Sequence, residues 1–219
     1  MKRISLRVLL ACLLSFHWCV NAETESFFVG HFSQEGIGQW QEKSFKDHTH
    51  YTLVTAQDKL SVVKAHSQHS ASGLFRKIRI DLQQYPFMNW RWKIARALQT
   101  GDETVKAGDD YAARIYVVVD GGWLAWRTKA LNYVWAGEAE KGAVWPNAFA
   151  GKRAQMFAIR NHSDATGVWY TEKRNVLQDL QQVHKETIRY IDVVAIMTDT
   201  DNSGGEVTAY YGDIFFSSQ

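Results

Sequence analysis

Cysteine is close to absent from this chain of 219 residues: it has two, Cys12 and Cys19, both within the first 22 positions. Residues 23–219 are thus expected to fold without disulfides, and that length is enough for one domain with a substantial core. Proline is as scarce, at two residues, and no repeat, low-complexity tract or Pro/Ser-rich linker divides the chain. G-x-S-x-G, H-E-x-x-H, P-loop and dinucleotide fingerprints are all missing. Serine hydrolase, zincin and nucleotide-dependent readings therefore lack their usual signatures.

What the first residues do contain is a leader. Lys2, Arg3 and Arg7 precede an apolar run at 8–16, and Val20, Asn21 and Ala22 make a small-x-small exit, which predicts a secretory signal peptide over 1–22. The apolar run is too short to span a bilayer. Export implies the periplasm or the cell exterior. Removing the leader takes three of the 25 basic residues and none of the 23 acidic ones, leaving 22 against 23 and a formal charge of −1. No clustered positive surface remains for nucleic acid, because Lys77, Arg79, Arg91 and Lys93 are interleaved with apolar residues.

Short β-type stretches separated by Gly- or Asp-marked turns fill the rest. The pattern predicts strands at 51–55, 60–65, 73–81, 88–95, 112–120, 132–135, 154–160, 167–174, 191–197 and 207–216. So many strands point to an all-β sandwich. Val176, Leu180 and Val183 recur at helical spacing after Asn175, which predicts one short, Asn-capped helix at the end of the sandwich.

Period-2 alternation sorts side chains by face. In MNWRWKI, Met88, Trp90, Trp92 and Ile94 share one side and Asn89, Arg91 and Lys93 the other. In the strand at 112–120, Ile115, Val117 and Val119 oppose a polar set of Asp110, Arg114, Tyr116 and Asp120, with Asp109 at the entrance. Glu172 and Arg174 share a side. Charges on a covered sheet face need partners, so Arg114 and Asp110 are expected near Glu172 or Asp213.

The order of WRWKI at 90–94, DDYAARIYVV at 109–118, LNYVW at 131–135, EKRNV at 172–176, MTDTDN at 197–202 and YYGDIFF at 210–216 resembles domain of unknown function 3047, a bacterial secreted family. The resemblance covers nearly all of residues 23–219. It implies a galactose-binding-like jelly roll, a fold common among carbohydrate-binding modules, and it brings no activity with it.

Glycan binding also has support from the residues. Trp123, Trp126, Tyr133, Trp135 and Trp145 crowd together near the turn residues Gly121, Gly122 and Pro146. Aromatic faces stack on sugar C–H surfaces, while Asp, Asn and Arg bond hydroxyls. The same tryptophans would equally fill a sandwich core; Trp126, beside Arg127, is the ring expected to be accessible.

Asp199, Thr200, Asp201, Asn202, Ser203 and Gly204 match the opening of a calcium loop, with Asp199, Asp201 and Ser203 as ligands. The twelfth position is Tyr210 rather than a bidentate glutamate, and the flanks are β-like, so a non-EF calcium site stands against arginine-paired acids. The pairs His48/His50 and His66/His69 lack a third ligand. Carboxylate catalysis is the surviving enzyme class: Asp199 and Asp201 would be about 6.6 Å apart on an extended strand. Asp110, Glu172 or Asp213 could supply a partner across strands, whereas Arg114 and Arg174 would hold such acids ionised. The readings left open are a non-catalytic glycan binder, with Asp110, Arg114, Trp126, Glu172, Arg174, Asp199, Asp201, Asn202 and Asp213 as candidate contacts, a carboxylate-dependent hydrolase or lyase, and a structural envelope protein.

Overall fold

The computed structural model describes residues 25–219, so the leader at 1–22 and both cysteines lie outside the described residues. Thirteen strands run in chain order as β1 (Ser26–Gly30), β2 (Gln41–Lys46), β3 (His50–Thr55), β4 (Ser61–Gln68), β5 (Ala71–Asp81), β6 (Phe87–Ile94), β7 (Arg114–Val119), β8 (Lys129–Trp135), β9 (Val144–Asn147), β10 (Gly151–Arg160), β11 (Tyr170–Asn175), β12 (Tyr190–Asp199) and β13 (Glu206–Ser217). One sheet has the order β11-β6-β13-β4-β3, with β1 on the end of β13. The other has the order β2-β5-β12-β7-β8-β10-β9. All pairings are antiparallel except β8 with β10. This is the jelly-roll β-sandwich expected of the chain.

The alternation read in MNWRWKI sets the core. Met88, Trp90, Trp92 and Ile94 are all buried, while their neighbours along β6 are half-exposed. From β6, Trp90 meets Tyr133 across the sandwich at 5.4 Å and Trp92 meets Trp135 at 5.8 Å, both from β8 of the facing sheet. Such aromatic pairs add about 0.5–1.5 kcal/mol each beyond the burial of their area. Tyr133, Trp135 and Trp145 are thus packing residues, whereas Trp126 is exposed.

The helix after Asn175 forms as α2 (Val176–His184), and the Asn175 side chain accepts from the Gln178 N–H at 3.1 Å. Val176 and Leu180 face the core. A single further helical turn, α1, spans Phe32–Glu35. Strands β1, β2 and β9 were not expected: β2 and β9 lie at the edges of their sheet, and β2 reads as a polar, mostly exposed run without an apolar face. Among the described residues no helix is long and apolar enough to cross a membrane.

Candidate functional site

The outward face of the seven-stranded sheet carries the site. Because Ile115 and Val117 of β7 point into the core, Arg114 and Tyr116 fall on the other side. Register then places Met197 of β12 beside Arg114 and Asn132 of β8 beside Tyr116. Asp199 ends β12 on the same face. The result is a groove of about 490 Å³ lined by Arg114, Tyr116, Asn132, Asp109, Asp199 and Asp201, with Phe45 and Phe149 among its walls.

Two turns build the end walls. Asn147, the last residue of β9, donates from Nδ2 to both oxygens of Asp109 at 3.0 Å, while its Oδ1 accepts from the N–H groups of Phe149 and Ala150. This Asx turn presents Phe149 to the groove. The β12–β13 turn carries Asp201 and Asn202, and Gly204 and Gly205 close it with φ of +77° and +96°, backbone that an L side chain rarely adopts. Asp110 clamps this turn: it accepts from the Asn202 and Ser203 N–H groups, from Asn202 Nδ2 and from Ser203 Oγ.

Arg114 is the central cation. Its Nη2 donates to Asp199 Oδ2, its Nη1 lies 4.0 Å from Asp109, and the guanidinium sits 4.9 Å over the Tyr111 ring. Asp199 Oδ1 accepts from the Tyr111 N–H at 3.3 Å. Burial pushes the Asp109 carboxyl above the ordinary carboxylate range despite the Arg114 charge. Asp201 is also raised, by burial first and by the Asp110 charge second. Burial pushes the Tyr116 hydroxyl up to about 12.

Several expected neighbours are elsewhere. Asp110 precedes β7 rather than lying on it, because that strand begins only at Arg114. Glu172 of β11 is on the other sheet, where it accepts from Trp92 Nε1 at 3.1 Å and from Arg160 Nε at 2.7 Å. Arg174 donates to Asp179 of α2 at 2.9 and 2.6 Å, a carboxylate that Tyr133 also bonds. Asp213 accepts from the Ser33 N–H at 2.8 Å and from Ser33 Oγ. These three acids and bases brace the fold and do not meet Arg114. Trp126 stands on the β7–β8 connection and is not among the groove's lining residues.

The calcium ligand set is also rearranged. One oxygen from each of Asp110, Asp199 and Asp201 lies within 4.8 Å of the others, the one such group among the described residues. Ser203, however, donates to Asp110 instead of facing a cation with it. Asp199 is taken by Arg114. Asp199 ends β12 and Asp201 opens the turn after it, so the two carboxylates do not lie along one continuous strand. The groove residues without a counterpart among the expected contacts, Phe45, Asn132, Asn147 and Phe149, come from the edge strands β2 and β9, from the outward face of β8 and from a turn. Asn132 alone has a legible signal, as the polar residue between the core-facing Leu131 and Tyr133.

Among solved structures, the chain is similar to a family 11 carbohydrate-binding module from Clostridium thermocellum in complex with a β-1,3-1,4-mixed-linked tetrasaccharide, at 10% identity, covering 87% of this chain and 94% of that one, with a TM-score of 0.44. A family 30 carbohydrate-binding module of a cellulosomal cellulase of the same organism gives 10% identity, 83% and 92% coverage and a TM-score of 0.45. A cellulase derived from Cel12A of Rhodothermus marinus gives 10% identity, 88% and 100% coverage and a TM-score of 0.45. No curated protein matches the chain significantly. The model of the family described as protein of unknown function (DUF3047) matches residues 38–215, and the chain belongs to that family.

Proposed function

We propose that this protein binds a glycan, without catalysis, in the groove over the outer face of the seven-stranded sheet, after export to the periplasm or the cell exterior. The observation that carries this reading is the groove's composition: aromatic surface from Tyr116, Phe45 and Phe149 beside a cluster of polar groups that includes Asp109, Arg114, Asn132, Asp199 and Asp201. An apolar wall with a few placed polar groups is what sugar recognition requires. Each carboxylate oxygen accepts more than one hydrogen bond, so hydroxyl donors can be received without breaking the contacts already made.

Hydrolysis is less well supported. Donors on both oxygens make a carboxylate a weaker nucleophile, and Asp199 has one oxygen on Arg114 and the other on the Tyr111 N–H. Asp110 is likewise occupied by its donors from the turn. The test is a thermal-shift and calorimetric screen of the purified protein against envelope and plant polysaccharides, with reducing-end analysis in parallel. Saturable binding without new reducing ends is expected. Reproducible cleavage, abolished in Asp199→Asn, would overturn the non-catalytic reading, and no binding to any polysaccharide would favour a structural role.

A further inference from the structure

The charges of the groove do not balance. Asp109, Asp199 and Asp201 line it against one lining cation, Arg114, and Asp110 brings an oxygen within 4.8 Å of those of Asp199 and Asp201. Arg114 is already shared between Asp199 and Asp109. Two lysines stand beside the lining residues without pairing a carboxylate: Lys46 donates to the backbone carbonyl of Asp201 at 3.0 Å, where its charge offsets part of that of Asp201, and Lys106 lies 5.2 Å over the Phe149 ring. Burial first, and the Asp110 charge after it, raises the carboxyls of Asp109 and Asp201, against the pull of Arg114 and, at Asp201, of Lys46.

An independent feature points to a ligand of defined chemistry. Arg114 is 5% exposed, lines the groove, and has a buried Nε without a hydrogen-bond partner. A buried donor without a partner is destabilising, and a ligand hydroxyl oxygen would satisfy it. Apart from that donor, the carboxylates make the groove rich in acceptors. It suits a ligand that offers hydrogens and positive charge; Arg114 already lies over the Tyr116 ring and Lys106 over that of Phe149, so the face offered to a ligand cation is that of Phe45. We propose that the groove selects glycans with free amino groups, deacetylated glucosamine-type sugars, over neutral and acidic ones; this rests on the glycan reading above. A protonated sugar amine supplies three donors and a charge, an N-acetyl group supplies one donor and no charge, and a uronate adds like charge to the carboxylates.

Calorimetry of the purified protein at about pH 6, where such amines are protonated, tests this with four probes: fully deacetylated glucosamine tetramer, its N-acetylated form, cellotetraose and tetragalacturonate. The deacetylated tetramer is expected to bind about tenfold or more tightly than either neutral tetramer. That advantage should shrink in about 0.5 M salt and in Asp201→Asn, and tetragalacturonate should bind weakest. If a neutral tetramer binds as tightly as the deacetylated one, the amine preference is wrong while the glycan reading stands. If none of the four binds, both fail.

Discussion

The guanidinium of Arg114, at the start of β7, is held on the carboxylate of Asp199, at the end of β12, and both groups are buried. Removing one partner strands a buried charge, which costs far more than the pair itself contributes. Arg114→Met should destabilise the protein by about 3–5 kcal/mol in chemical denaturation. The double variant Arg114→Met with Asp199→Leu should recover part of that loss. A single variant as stable as the parent would show that the pair is solvated and the groove floor open.

Tryptophans divide by burial. Trp135 is buried against Trp92 and Tyr170, so Trp135→Ala should cost about 3–5 kcal/mol. Trp126 is 66% exposed, and Trp126→Ala should change stability by less than about 0.5 kcal/mol. In glycan titrations Phe149→Ala, in the groove, should weaken binding while Trp126→Ala leaves it unchanged. The reverse order of affinities would move the platform to the β7–β8 connection.

Asp201 makes stability depend on pH. Its carboxyl is raised above 3.8 by burial and then by the Asp110 charge, so over that interval the folded chain binds more protons than the unfolded one. Stability therefore falls as pH rises through the interval, and Asp201→Asn escapes the loss. The variant should be more stable than the parent at pH 7, by less than about 1 kcal/mol because the side chain is half-exposed. The difference should vanish below about pH 3, where the aspartate is protonated in both states. Parallel melts across this range check the sign; a variant less stable at pH 7 would refute it.

Calcium should do little. The oxygens of Asp110 accept from Asn202 and Ser203, and Asp199 is paired with Arg114, so a cation would have to displace donors already in place. Melting temperatures in millimolar calcium and in chelator are expected to coincide. A rise with calcium, through preferential binding to the folded state, would restore the metal reading.

Locally encoded features were legible in the sequence. The period-2 pattern of β6, with Met88, Trp90, Trp92 and Ile94 inward, needs no partner to be read, because successive side chains of any strand point to opposite faces. Asn175 and the spacing of Val176 and Leu180 marked α2 in the same way. Edge strands β2 and β9 escaped, since an edge is not required to carry a buried face. The partner of each charge was decided by tertiary structure alone. Arg114 meets Asp199 at a separation of 85 residues, and Glu172 meets Trp92 at 80, because strand order sets which polar faces adjoin. The sequence by itself determined two sheets with an aromatic core and an acidic turn; only the pairing of β12 with β7 brought Asp199 beside Arg114 and formed the groove, because hydrogen-bond register, not composition, fixes which distant side chains share a face.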